Sequence, residues 1–490
     1  MNLEFIRPFI KFLPEVSLPK RHVPFKEKLM WTAAVLLLFF IMGTIYPVGI
    51  TPEELSKKLV GFEQMQIIFA SKIGTIISAG IGPIVTASIV LQLLIGSKMI
   101  DIDLTTDDGK ALFQGTQKIL TILIAFFEAA ALVMGIRLVE DPVLITFAIF
   151  QIGLGSILLM YMDEIVSKWG IGSGIGLFIA GGVSQEVVYK SISTSIVPGT
   201  NTYAGIIPNA IAVLTKGSVD MFGLLTLIFP VFATIIVFIV VAYGESMRLE
   251  IPLSYGGIRG VGGRYPIKFF YVSNIPVILA AALLMNIRMW TNFAGVDISK
   301  QLPESASIFQ KIVYYLGKNL TLGELNGLFS PDEIDRLIHF NAILHPMINF
   351  IDKPLDFAYS IIDLGLALHL IIYLVVFIVL CIVFGKFWIE TTGMGPEQVA
   401  EQIQQGGMQI PGFRRDKRVI ERVLNRYIPQ ITIISSVAVG LLAVVADLMG
   451  ALGSGTGILL TVGILYRLYE EIQREQMSEM HPVFRRFMGR

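Results

Sequence analysis

Gly170-Ile171-Gly172-Ser173-Gly174-Ile175-Gly176 opens one apolar run of the chain, and Gly450-Ala451-Leu452-Gly453-Ser454-Gly455-Thr456-Gly457 opens another. A helix needs about 20 apolar residues to cross the hydrocarbon core of a bilayer. Ten such runs are found, near 30–46, 77–95, 119–136, 143–161, 171–188, 221–243, 267–287, 361–384, 431–449 and 455–468. The two glycine-rich entries belong to the fifth and the tenth, equivalent positions of two five-helix halves. Duplicating an odd number of spans places the halves in opposite orientations, the inverted-repeat plan of many transporters and channels. Gly170/Gly174 and Gly453/Gly457 also read as small-xxx-small packing pairs, and packing and duplication are compatible.

Composition supports a membrane protein. Of 490 residues, 54% are hydrophobic and 16% charged, against roughly 25% charged in a soluble domain. The 38 Lys and Arg are balanced by 38 Asp and Glu, which argues against a nucleic-acid binder as a whole. The single Cys381 excludes a disulfide framework and a cysteine-based zinc site. Pro14, Pro19 and Pro24 precede the first run and no small-residue cleavage site follows it, so the first helix is expected to stay in the protein. With the N-terminus inside, 26 of the 38 basic residues fall on the cytoplasmic side, where Lys and Arg concentrate. Both termini are therefore predicted to be cytoplasmic. Net zero is then about +6 inside and −6 elsewhere.

Enzyme chemistry needs a constellation that this chain lacks. Gly109-Lys110, Gly317-Lys318 and Gly385-Lys386 are each followed by the wrong residue for a P-loop. His22, His339, His345, His369 and His481 form no H-E-x-x-H pair. A membrane serine protease would have glycine two residues before its serine, where Ser173 and Ser454 have Ile171 and Leu452, and Asp363 lacks a facing aspartate. No catalysis, cofactor or metal is expected.

Few ionisable residues remain inside the spans. Glu128, in Ile124-Ala-Phe-Phe-Glu128-Ala-Ala-Ala-Leu132, is the clearest. A carboxyl in lipid costs about 2.5 kcal/mol or more, so it reads either as functional or as a hydrogen-bonded group joining helices, with Thr86 and Asn286 as possible partners. Ile81 and Val85 are four apart on one helix face, as are Ile171 and Ile175, a spacing that ordinary core packing also produces. Between the first two spans, Phe62-Glu-Gln-Met-Gln-Ile-Ile-Phe-Ala-Ser71 is too short to cross and must re-enter the membrane or lie on its surface. Phe5 to Leu13 mixes aromatics with bases, as a surface-lying helix does. The pattern alone reaches a ten-span channel or transporter. A solute transporter with a 5+5 repeat is the alternative class, and it would require a polar midplane site.

Several stretches carry a resemblance: Gly80-Ile-Gly-Pro-Ile-Val-Thr-Ala87, Ala111-Leu-Phe-Gln-Gly115, Asp163-Glu-Ile-Val-Ser-Lys-Trp-Gly170 running into Gly176, Tyr265-Pro-Ile-Lys268, Tyr271-Val-Ser-Asn-Ile-Pro-Val-Ile278, Glu390-Thr-Thr-Gly393 and Gly453-Ser-Gly-Thr-Gly457. Together they resemble the SecY family, channel subunits of the Sec protein translocase, in its archaeal and eukaryotic branch. The resemblance implies an all-α polytopic fold with ten transmembrane helices as a 5+5 inverted repeat around a central pore. Its N-terminal half would be 1–215 and its C-terminal half 216–490, with a re-entrant plug at about 61–78 that includes Phe62, Ile67, Ile68 and Phe69. Carried over by motif, the pore ring would be Ile81, Val85, Ile171, Ile175, Ile278 and Leu460, and the lateral gate would hold Thr86, Glu128 and Asn286. Arg259 and Arg414, in the basic 6/7 and 8/9 loops, would dock the ribosome. The implied partners are a SecE-type and a small beta-type subunit, the ribosome, signal peptides and nascent chains, and membrane lipids. The implied location is the plasma membrane. The stretch 288–356 departs from the family by its length, and Asn319-Leu-Thr321 within it reads as a glycosylation sequon.

Overall fold

The computed structural model describes residues 7–50, 63–97, 99–100, 102, 106–136, 138–139, 141–196, 202–215, 221–255, 262–272, 274–293, 307–308, 310–311, 314, 364–405, 408–409 and 417–480. Each expected apolar run overlaps one helix: α2 (Phe25–Met42), α4 (Gly82–Gly96), α5 (Asp107–Gly135), α6 (Pro142–Trp169), α7 (Gly174–Ile192), α9 (Met221–Ser246), α10 (Ile275–Phe293), α11 (Leu364–Thr392), α13 (Lys417–Leu448) and α14 (Gly455–Met480), although the first residues of the seventh run, 267–287, lie in a strand and turn before α10. Four shorter helices do not span: α1 (Arg7–Ile10), α3 (Glu63–Ile68), α8 (Ile206–Thr215) and α12 (Pro396–Gln405). By length and composition alone, five described stretches suffice to cross a membrane: Asp108–Gly135, Pro142–Trp169, Leu227–Ser246, His369–Gln405 and Arg418–Leu448.

The helices depart from the apolar runs for physical reasons. α5 starts twelve residues before its run because Thr106 caps it, its side chain accepting the Gly109 N–H at 3.1 Å. α6 opens on Pro142 behind Asp141, whose carboxylate accepts the Val143 N–H at 2.9 Å. α13 and α14 run on as polar helix beyond their apolar stretches. The second span begins late, at Gly82. The chain before it folds back over Gly80, whose φ of +55° excludes ordinary side chains, and Pro83 then occupies the first turn.

Within the first half α5 packs on α4 and α6, and α2 on α6 and α7; within the second, α11 packs on α10 and α13, and α14 on α9 and α13. The halves meet where α10 lies against α4 and α5 and where α14 lies against α7. The duplication is visible in the backbone. Gly172 and Gly453 both take left-handed φ, +79° and +71°. Each is followed by a serine that begins the next helix, α7 or α14.

One element goes beyond the expected all-helical design. β1 (Arg248–Tyr255) and β2 (Gly262–Lys268) form an antiparallel hairpin, with Arg248 opposite Lys268 at its root, and β3 (Met408–Gln409) extends it in the order β2-β1-β3. The 6/7 and 8/9 connections therefore share one sheet. A small core of Ile267, Val272, Val399, Ile403, Ile420 and Leu424 joins the base of this sheet to α12 and α13.

Candidate functional site

Two cavities lie on opposite sides of the bundle. One, of about 290 Å³, is lined among others by Val85, Gln92, Gln117, Ile171, Ile175, Ile278, Ile464, Arg467 and Glu471. It opens toward the face where α2 begins and α14 ends. The other, of about 450 Å³, is lined by Phe39, Thr44, Gln66, Ile67, Ala70, Glu186 and Tyr189, near the opposite ends of α2 and α7. Between them the chain is buried and mostly aliphatic. Ile81 and Leu460 are 0% exposed, and Ile81, Val85, Ile278 and Leu460 share one buried cluster against which Ile175 packs. Ile171 is buried outside that cluster and meets Val85, Ile175 and Ile278 at the first cavity.

The short segment after residue 62 seals this partition from the second cavity. Ile67, Ile68 and Phe69 are buried in the same cluster, and α3 touches α7, α10 and α14. The Phe69 carbonyl accepts the N–H of Ile81 itself at 2.8 Å. Glycines permit this approach. A Cβ on Gly80 would sit 2.2 Å from the Phe69 carbonyl oxygen, one on Gly457 2.7 Å from Ile67 Cγ2, and one on Gly82 3.4 Å from the Phe69 ring. The segment is folded by its own polar side chains. Gln66 Oε1 accepts the Ile73 N–H at 3.1 Å, Ser78 Oγ accepts the Gly74 N–H at 2.9 Å, and the Ser78 hydroxyl donates to the Thr75 carbonyl. Sequence reading missed Gln66 and Ser78. Their signal was the polar residues of a segment expected to re-enter the membrane or lie on its surface. Phe62 lies outside the described residues.

Thr86, Glu128 and Asn286 come together across the seam between the halves. The Asn286 amide donates to Thr86 Oγ1 at 2.9 Å, and Thr86 Oγ1 lies 2.7 Å from Glu128 Oε1 and 2.9 Å from the Gly82 carbonyl, its two possible acceptors. Glu128 is 3% and Asn286 5% exposed. The chain thus links α10 to α4 and α4 to α5. A Cβ at Gly82 would fall 2.8 Å from Glu128 Oε2, so the glycine makes room for the carboxyl.

Arg259 and Arg414 lie outside the described residues. Arg248 and Lys268, paired at the hairpin root, both bind Glu470 of α14, at 2.9 and 2.5 Å. Like charges directly opposite on a hairpin repel, and Glu470 bridges them. The Tyr271 hydroxyl donates to the Met394 carbonyl at 2.7 Å, fastening the start of α10 to the turn after α11. Among the described residues no group of three or more His, Cys, Asp and Glu could hold a metal ion.

A family model described as SecY matches residues 75–469. The protein translocase subunit SecY of Methanocaldococcus jannaschii is 43% identical over 486 residues, covering 99% of each chain. A solved structure in which the plug domain of SecY is described as stabilising the closed state of the translocation channel superposes with a TM-score of 0.74 at 41% identity, covering 97% of this chain and 98% of that one. Sec61 in the canine ribosome-channel complex matches with a TM-score of 0.73 at 42% identity and the same coverage. By sequence along nearly its whole length and by fold, the chain belongs to the SecY family, the channel subunits of the protein translocase.

Proposed function

We propose that Ile81, Val85, Ile171, Ile175, Ile278 and Leu460 form the constriction through which secretory polypeptide passes, that 61–78 is the plug of its outer funnel, and that Thr86, Glu128 and Asn286 latch a lateral exit for apolar segments. One observation carries this reading: two cavities on opposite faces, divided by a partition of branched aliphatic side chains with a folded segment seated on it. Such a partition offers no ligand to an ion, dewets when empty and yields around a chain of any sequence. At the partition itself, Ile81, Val85, Ile278 and Leu460 present none of the convergent polar groups that a solute site there would need.

In this reading the halves 1–215 and 216–490 part at the α4–α5/α10 seam to admit a signal helix. Both termini and the β1–β2 hairpin face the cytoplasm, in the plasma membrane. The hairpin and the 8/9 connection, with Arg259 and Arg414, meet ribosomal RNA phosphates through guanidinium groups. That a ribosome-bound Sec61 shares the fold supports this role. A SecE-type and a small beta-type subunit complete the complex. Photocrosslinkers placed at Ile171, Ile278 and Leu460, with Phe238 as an outward-facing control (50% exposed), test the constriction. A stalled secretory chain is expected to crosslink at the three inner positions. Crosslinks at Phe238 as strong as at those three would overturn it.

A further inference from the structure

The two glycine loops that open α7 and α14 are held by the same set of side chains, drawn from equivalent helices of the two halves. In the first half the Ile171 N–H donates to Thr32 Oγ1 on α2 at 3.0 Å, and four residues on the Ile175 N–H donates to Asp163 Oδ1 on α6 at 2.8 Å. In the second half the Leu452 N–H donates to Thr234 Oγ1 on α9 at 2.9 Å, and four residues on the Thr456 N–H donates to Asp447 Oδ1 on α13 at 2.9 Å. Each threonine hydroxyl donates to the carbonyl four residues back on its own helix, Lys28 or Pro230, at 2.9 and 2.7 Å. That contact fixes the oxygen so that it can accept from the loop. The threonine thus comes from the first helix of each half and the aspartate from the fourth, and the loop enters the fifth.

The fit is close at both places. A Cβ on Gly174 would fall 2.5 Å from the Asp163 Cα, and one on Gly455 2.0 Å from the Ala446 carbonyl carbon. The first turn of an α-helix leaves N–H groups without partners, and a carboxylate is favoured there. Stability alone would be served by serine or water at these ends, and Ser454 already caps the Gly457 N–H at 3.0 Å. The aspartates and threonines do something further, because the amides they hold either belong to the constriction or open the helix that carries one of its residues. Ile171 and Ile175 are themselves two of its residues. Leu460 stands one helical turn beyond Thr456, on the same face of α14.

We propose that Thr32, Asp163, Thr234 and Asp447 are positioning residues that fix the α7 and α14 walls of the constriction, so that its resting width is set by four side chains that never touch the polypeptide. This rests on the constriction assigned above. The test compares Thr32→Val and Thr234→Val, which keep the shape and lose the acceptor, with Thr32→Ser and Thr234→Ser, which keep it. Full-length channel in lipid vesicles is assayed for resting ion conductance per folded molecule, with thermal stability measured alongside. Loss of one such hydrogen bond shifts an equilibrium by about fivefold. Each valine variant is therefore expected to raise the resting leak by about that factor, with similar size in both halves, and each serine variant is expected to match the parent. Equal leak in the valine and serine variants, or an effect confined to one half, overturns the proposal. Should a valine variant fail to fold, Asp163→Ala and Asp447→Ala, which remove the acceptor of the Ile175 and Thr456 N–H groups, report on the same walls: a raised leak supports the proposal and an unchanged one sinks it. Crosslinking of a stalled chain at Ile171 in the same samples separates the two ideas. Lost crosslinks in the parent channel refute the constriction itself; intact crosslinks with unchanged leak refute only the positioning.

Discussion

Thr86→Val removes the centre of the seam's hydrogen-bond chain while preserving side-chain shape. Thr86 accepts from Asn286 at 2.9 Å and stands 2.7 Å from Glu128, so the valine breaks the links from α4 to both α10 and α5. Hydrogen bonds between membrane helices average about 0.6 kcal/mol, which makes two of them about 1.2 kcal/mol, or about eightfold in the ratio of closed to open seam. The real effect should exceed this, because the closed state would also bury Asn286 and Glu128 without their common partner, at about 1–3 kcal/mol for a stranded polar group. A leucine in a membrane helix contributes about 0.3–0.6 kcal/mol to insertion. The variant should thus accept signal sequences shorter by at least about two to four leucines than the parent requires. The assay is translocation of a reporter series whose signal loses one leucine at a time. Thr86→Ser keeps the hydroxyl and should retain the parental threshold. Asn286→Leu breaks only one of the two links and should shift the threshold less than Thr86→Val. Identical thresholds for Thr86→Val and Thr86→Ser would refute the latch.

Two further outcomes follow from the geometry. Gly80→Ala forces a methyl to within 2.2 Å of the Phe69 carbonyl at a φ of +55°, so it should unseat the plug and raise resting ion conductance without blocking translocation; an unaltered conductance would contradict the packing. On the α2-entry face, the Lys168 ammonium, 2.8 Å away, holds the Glu15 carboxyl below its usual range. A carboxyl whose folded value is depressed stabilises above its unfolded value and loses that contribution as pH falls through the folded one. The tether of the N-terminal segment should therefore be intact at neutral pH and weaken in acid below about pH 4. Glu15→Gln should give the loosened state at every pH, differing from the parent at neutral pH and matching it in acid. The indole of Trp169, which donates to the Ser17 carbonyl at 2.9 Å, reports this by fluorescence, and a pH-independent signal in the parent would count against it.

The ten spans and the duplicated entries are legible in the sequence because burial in lipid imposes long apolar runs whatever the tertiary contacts. Helix ends are not, since α13 and α14 continue into polar sequence where water replaces lipid and hydropathy carries no signal. The hairpin escaped a reading of its segment as a basic loop, although Arg248-Leu-Glu-Ile-Pro-Leu-Ser-Tyr255 alternates with period two and glycines follow. Thr86, Glu128 and Asn286 could be suspected as partners, since polar residues in spans seek one another. The order of the chain, with Thr86 at its centre, required the crossing of α4, α5 and α10. Asp163 and Asp447 gave no sign, because an aspartate at the end of a span resembles any interfacial charge until the next helix is seen to start on it.

The three-stranded sheet has a mechanical consequence. β1 and β2 join α9 to α10, β3 sits between α12 and α13, and the root of the hairpin is fastened by Arg248 and Lys268 to Glu470 of α14. Every one of these elements belongs to the second set of five helices. A massive body seated on the sheet would hold that set still as a fixed frame, and the first set, joined to it at this face by contacts such as Lys28 to Glu475 at 2.8 Å, would be the part free to swing. Separation of the two sets then becomes the motion of a single jaw, so the load of an incoming chain is borne by the anchored side while the seam opens on the other.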